Sequence, residues 1–218
     1  MSTLQEIVER CEDLYDDISL KYVAEWKEKN QAKAMGFLPV YFPRELVYAA
    51  GMLPVGIMGG GDKIEIIKGD AFYQSYICHL PRSVIEMGVT GRLDSLDGMI
   101  FPSICDVIRN LSGMWKVLFP DKVSFYFDAP QNLDRRLGGE FLKGELSRAV
   151  SIFEEMSGQK VTQESLTNAV QLYNKNTELL DKIYAHRTEA PWDIPTSELY
   201  LLLRAGFILD VKEHNVML

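Results

Sequence analysis

Long apolar runs, basic clusters and paired cysteines are all missing from this 218-residue sequence. No stretch approaches the roughly 18 consecutive apolar residues of a membrane span. Lys and Arg number 23 against 31 Asp and Glu, a formal net charge of −8, and the isoelectric point is near 5.0. No basic block interrupts that balance, so neither nucleic acid nor a membrane surface is expected as a partner. The opening MSTLQEIVERCEDLYDD is acidic and periodic, unlike a signal or transit peptide, and the expected location is the cytoplasm. Three cysteines, Cys11, Cys78 and Cys105, do not make a disulfide framework. In a reducing compartment they are thiols, metal ligands or nucleophiles. No C-x-x-C occurs, which disfavours a zinc ribbon and a ferredoxin-type run. The run from Gly56 through Gly59, Gly60 and Gly61 to Lys63 approaches a phosphate loop, but Asp62 intrudes before the lysine and its carboxylate would repel phosphate. No ATP site is expected on this chain, and no internal repeat or low-complexity segment is found.

What is present is a strand–helix alternation in a chain that is 47% hydrophobic, enough for a substantial core. Leu4, Ile7, Val8, Cys11, Leu14, Tyr15 and Ile18 recur at helical spacing, which makes Cys11 a small core residue. Met35–Tyr41 reads as a strand, Pro43 to Gly51 as a helix with proline at its start and glycine past its end, and Leu53–Met58 as the next strand. That unit implies parallel pairing. Asp70 opens an expected helix through residue 88, kinked at Pro81 beside Cys78 because proline lacks an N–H and clashes with the carbonyl of Ile77. Strands at 96–101 and 123–127 flank a helix at about 104–119. After Pro130, helices are expected at 138–157, 162–187 and 196–205. The architecture is α/β, a Rossmann- or flavodoxin-like parallel sheet followed by a helical layer.

Cys105 stands at the joint between strand and helix in FPSICDVIRNLSGMWK. Ser103 and Asp106 fit an S-x-x-D cap, which would place Cys105 in the first helical turn, where free N–H groups stabilise a thiolate. Ligands of open parallel sheets also bind beyond the C-terminal strand ends. Its rival roles are a core thiol and a nucleophile paired with histidine, the latter without motif support. Cys78, beside the Pro81 break, is either a buried helical cysteine or a partner of Cys105 in a metal site, which would need a third ligand. His79 points away from Cys78 on a helix, and His186 and His214 are expected to be solvated. Gly60 belongs to a flexible turn or lines a cleft. Tyr41, Arg44 and Glu45 follow the first strand end and face either the cleft or their own helix. Arg82, Arg109 and Lys116 are either surface charges or a clamp for a phosphate-bearing ligand. Tyr73, Tyr76 and Trp115 read as core.

The segments YFPRELVYAAGMLPVGIMGG, GDAFYQSYICHLPRSVIEMG, DGMIFPSICDVIRNLSGMWK and PWDIPTSELYLLLRAGFILDVKEHNVML together resemble the 2-hydroxyacyl-CoA dehydratase / benzoyl-CoA reductase family, in the pattern of the C (gamma) subunits of ATP-dependent benzoyl-CoA reductases. The resemblance implies a two-lobed subunit with a [4Fe–4S] cluster between its lobes, held by cysteines from three distant segments. Cys78 and Cys105 match the first two, and the third is expected beyond Leu218, so the chain corresponds to about the N-terminal half of a member. On this footing residues 1–30 are an N-terminal helical segment, 31–135 an α/β lobe carrying the cluster-ligand cysteines, and 136–218 a helical region leading to a second lobe. The implied activity is low-potential, one-electron, dearomatising reduction of an aromatic acyl-CoA, with a homologous substrate-binding subunit and an ATPase electron activator as partners. This half alone is expected to be inactive. Ser103, Tyr41, Arg44, Gly60, Arg109 and Lys116 are the candidate substrate contacts, and no residue is assigned as proton donor. A 2-hydroxyacyl-CoA dehydratase subunit, a radical lyase, and a non-enzymatic α/β scaffold are the alternatives.

Overall fold

The computed structural model describes residues 3–132 and 134–218. Two helices come first, α1 (Leu4–Asp16) and α2 (Lys21–Asn30). The Thr3 hydroxyl accepts from the Glu6 N–H while the Glu6 carboxylate accepts from the Thr3 N–H, a reciprocal cap that starts α1. The strand–helix alternation follows as β1 (Ala34–Phe37), α3 (Glu45–Ala49), β2 (Leu53–Gly56), α4 (His79–Val89), β3 (Gly98–Pro102), α5 (Asp106–Leu118) and β4 (Val123–Phe127). Four helices complete the described chain: α6 (Gly138–Ser157), α7 (Gln163–Glu189), α8 (Thr196–Ala205) and α9 (Val211–Met217). None of the described helices is long and apolar enough to cross a membrane.

The four strands form one parallel sheet in the order β2-β1-β3-β4. The α/β, flavodoxin-like expectation holds. The chain leaves β1 toward one edge and returns to β3 on its other side, so connections diverge between β1 and β3. β1, β2 and β3 are buried along their whole length, as strands covered on both faces must be. Alternate residues serve different cores. Met99 and Phe101 pack with α4, α5 and the α1–α8 pair, whereas Ile100, Phe125 and Phe127 pack with Phe42 of the preceding loop, Val47 of α3, and Ala149 and Phe153 of α6. The edge of β2 is occupied by the turn after α8, where the Gly56 N–H donates to the Phe207 carbonyl at 2.7 Å. A Cβ on Gly56 would lie 2.8 Å from that of Phe207, so glycine permits the approach.

Several expected boundaries move. β1 ends at Phe37 rather than Tyr41, because Pro39 interrupts the ladder and Tyr41 turns the chain with a φ of 63°. Arg44, not Pro43, caps α3, and Gly51 closes it with a φ of 75°. The expected kinked helix over 70–88 is instead a short 3₁₀ turn at Gly69–Ala71, an irregular stretch, and α4 starting at His79. Pro81 falls in the first turn of α4, where no intrahelical acceptor awaits its missing N–H, so no kink follows. The helices after Pro130 lie where periodicity placed them, to within two residues, but α9 was not anticipated.

Candidate functional site

Because all four strands are parallel, their C-terminal ends share one edge of the sheet. Beyond β3, the Ser103 N–H donates to the Phe127 carbonyl (2.9 Å) and the Ser103 hydroxyl accepts from the Ala129 N–H (2.8 Å). Ser103 is therefore spent joining the ends of β3 and β4. It does not cap α5. Cys105 does, in extended backbone, and its carbonyl accepts from the Ile108 and Arg109 N–H groups. Cys78 is the corresponding cap residue of α4. Both thiols are exposed, and neither makes a capping hydrogen bond. Cys11, by contrast, is fully buried, 3.5 Å from the Met217 sulfur, and burial pushes its thiol up to about 11.

The irregular stretch between β2 and Cys78 is held by side chains that sequence reasoning passed over. The Glu86 carboxylate, 4% exposed, accepts from the N–H groups of Ile67 (3.0 Å) and Gly69 (2.7 Å). The buried Ser83 hydroxyl accepts from the Gly60 N–H at 2.7 Å. Arg82 is committed to Asp70, Nε to Oδ1 2.9 Å, and is not a free clamp. The signal was available: Ser83 and Glu86 are two polar residues three apart within an apolar helical run. Tyr73 completes the arrangement. It is buried as expected, and its hydroxyl donates to the Val107 carbonyl in the first turn of α5 at 3.2 Å. Burial, then the neighbouring Cys105 and Cys78, push its ionisation well above the ordinary phenol range. Both thiols thus lie within electrostatic reach of one hydroxyl.

This donor set suits a thiophilic metal group in kind but not in number. Two exposed sulfurs at helix starts offer ligands backed by unpaired N–H groups. Among the described residues no three His, Cys, Asp or Glu side chains converge on one point.

The remaining candidates scatter. Tyr41 is exposed at the end of β1. Arg44 donates to the Gly206 carbonyl at 2.8 Å and lies 4.8 Å above the Tyr173 ring, so it secures the helical layer. Gly60 lies buried against Ser83. Arg109 sits 5.2 Å over the Tyr126 ring, and the Tyr126 hydroxyl first, then Asp128 and Asp106, raise its already high basicity. It borders two open hollows, one of about 630 Å³ with Phe72, Tyr73 and Met114, the other of about 440 Å³ with Asp128, Asn132 and Phe141. Lys116 is in the last turn of α5, roughly 15 Å along the axis from its start, and does not reach the strand ends. Lys63 pairs with Asp16 and covers the Tyr15 ring. Trp115 is buried against Phe119 and Phe101, but Tyr76 is exposed rather than core.

His214 corrects the expectation that it is solvated. It is 1% exposed, its Nε2–H donates to the Leu202 carbonyl (3.0 Å), and its Nδ1 accepts from Asn176 (2.8 Å). Burial lowers its pKa to about 4, so the ring is neutral. His186 is at the surface, paired with Asp193.

The family model described as 2-hydroxyglutaryl-CoA dehydratase, D-component, matches residues 39–218. The C subunit of benzoyl-CoA reductase from Thauera aromatica is 52% identical over the whole of this chain and 56% of its own length. The (R)-2-hydroxyglutaryl-CoA dehydratase beta subunit of Acidaminococcus fermentans is 35% identical over 88% of this chain and 51% of its own. The (R)-phenyllactyl-CoA dehydratase beta subunit of Clostridium sporogenes is 29% identical over 89% and 52%. The chain thus spans about half the length of the curated relatives it matches. With four-fifths of its residues under the family model, the chain belongs to the 2-hydroxyglutaryl-CoA dehydratase D-component family.

Proposed function

We propose that this chain is the N-terminal part of a cytoplasmic benzoyl-CoA reductase subunit, in which Cys78 and Cys105 provide two ligands of a [4Fe–4S] cluster beside an aromatic acyl-CoA site. The third ligand lies beyond Leu218 in this reading. The observation that carries it is the pair of exposed thiols on the residues that open α4 and α5, in a chain 52% identical throughout to the C subunit of a benzoyl-CoA reductase. When bound, such a cluster supplies low-potential electrons one at a time. The chain's own residues hold and surround it. The first turns of α4 and α5 present N–H groups that favour anionic sulfur. Exposed Tyr41, Met58 and Ile104 give the strand-end edge apolar surface for a ring, and Arg109 offers a fixed cation for the anionic part of a CoA thioester. A homologous substrate-binding subunit and an ATPase that delivers electrons are the partners.

The test is anaerobic expression of the native-length protein with its neighbouring subunits, followed by iron and acid-labile sulfide assay beside Cys105→Ser. Stoichiometric iron and sulfide, lost in the variant, is the expected result. A folded wild-type complex without iron would reduce the chain to an α/β scaffold. A second reading, a dehydratase subunit, is favoured by the 35% identity to a dehydratase beta subunit. Electron accounting separates the two, because net reduction consumes electrons with every turnover and dehydration recycles one.

A further inference from the structure

We propose that Tyr73 is a positioning residue that sets the separation of Cys78 and Cys105, by stapling the irregular chain before Cys78 to the first turn of α5. The inference rests on the reading that these two cysteines serve one site. From Gly61 to Ile77 the chain has no strand or α-helix, and two short 3₁₀ turns are its regular parts. Glu86, Ser83 and Arg82 tie this stretch and the preceding turn to α4. Those bonds fix the stretch on its own following helix. They do not fix the start of α4 relative to the start of α5, and it is the distance between those two starts that separates the thiols.

Tyr73 acts across that gap. It is five residues before Cys78, and its acceptor Val107 is two residues after Cys105. Among the described residues, this is the one hydrogen bond joining the stretch to α5. The Val107 carbonyl has a second lone pair beyond the one its helix uses, so the phenol binds without breaking a helical bond. The ring packs in the core shared by α4 and α5, which leaves the hydroxyl little freedom to drift.

Thiol cross-linking tests it. The native-length protein, assembled with its partner subunits, chelator-treated and reduced, is exposed to dibromobimane, and the Cys78–Cys105 cross-link is quantified by peptide mass spectrometry. Wild type is expected to cross-link. Tyr73→Phe keeps the ring, removes the staple, and is expected to lower the cross-link about fivefold, the equilibrium factor of one ordinary hydrogen bond. Single alkylation of each cysteine should not change. Tyr22→Phe is the control, since it removes a part-buried hydroxyl that donates to Glu213 and accepts from the Asp210 N–H. It should leave the cross-link unaltered. An unchanged cross-link in Tyr73→Phe overturns the inference and leaves the shared site standing. Equal losses in both variants reveal general loosening and overturn it too. No cross-link in wild type overturns the shared site and the inference together.

Discussion

The stretch before Cys78 and the closure around His214 are both pinned by buried polar side chains, yet those side chains do different work. Near Cys78, Ser83 and Glu86 reach out of a regular helix to satisfy backbone N–H groups of Gly60, Ile67 and Gly69, which have no ladder to join. Near His214, the bonds run from helix to helix: Asn176 on α7 meets His214 and Asn215 on α9, and His214 meets the carbonyl of Leu202 on α8. Helices already satisfy their own backbones, so the second network chooses which faces meet. The first makes irregular backbone tolerable inside the fold. That irregular backbone leads directly into Cys78, the cap residue of α4. The stretch before Cys78 therefore depends on a few polar anchors, and the helical closure on packing with polar specification.

That contrast is broken most severely at Glu86. Glu86→Ala strands the buried Gly69 N–H and frees the part-buried Ile67 N–H, and should cost about 3 kcal/mol, read as a lowered urea midpoint. Glu86→Gln keeps an amide oxygen and should lose about half as much. A loss under about 1 kcal/mol for the alanine would mean that the stretch is supported elsewhere.

His214 responds to acid. Its folded pKa, about 4, lies below the ordinary 6.5, so the fold favours the neutral ring. Its contribution is complete above pH 6.5 and is lost as the pH falls toward 4, on the order of 3 kcal/mol in all. His214→Gln should flatten that limb of a stability–pH profile while lowering stability at pH 7. A wild-type profile flat between pH 6.5 and 4 would contradict the buried neutral ring.

Much of this was legible. The apolar run at 98–101 and the aromatic-rich segment 123–127 gave β3 and β4, and the 3.6-residue repeat gave α6, α7 and α8. Cys11 was readable as core because it lies in an apolar stripe. The start of α4 was not, because Asp70 offers a local capping signal and Cys78, which makes no capping hydrogen bond, offers none; only the tertiary bonds from Glu86 decide against the earlier start. Ser103 misled for a related reason. Its side chain suits a helix cap locally, but β4 offers it the Ala129 N–H instead. His214 sits among polar residues in sequence, and burial comes from α7, thirty-eight residues upstream. Short-range pattern reports regular elements; it does not report which irregular backbone a distant side chain will hold.

The three thiols sharpen the comparison at smaller cost. In metal-free native protein at pH 8, iodoacetamide should label exposed Cys78 and Cys105 while Cys11, buried with its thiol near 11, stays unmodified until the protein unfolds. Peptide mass spectrometry at intervals reads this directly. Early labelling of Cys11 would show that the α1–α9 contact opens readily. Cys11→Ser, which buries a hydroxyl in place of a sulfur, should cost about 2 kcal/mol and leave the other two labelling rates alone.

The smallest effect is expected at Lys116, and its smallness is informative. Arg109 and Lys116 are both cations on α5, separated by two turns, and charge alone does not distinguish them. Geometry does: Arg109 borders both hollows next to the helix start, and Lys116 is at the far end. In the intact complex, Arg109→Ala should weaken binding of a CoA thioester about tenfold, the value of one charge-assisted hydrogen bond. Lys116→Ala should change it by less than about twofold, because an exposed charge more than a Debye length away is largely screened. Isothermal titration at two salt concentrations checks both. Equal effects that fade together in high salt would mean that α5 acts as a diffuse positive surface and that no single cation meets the ligand.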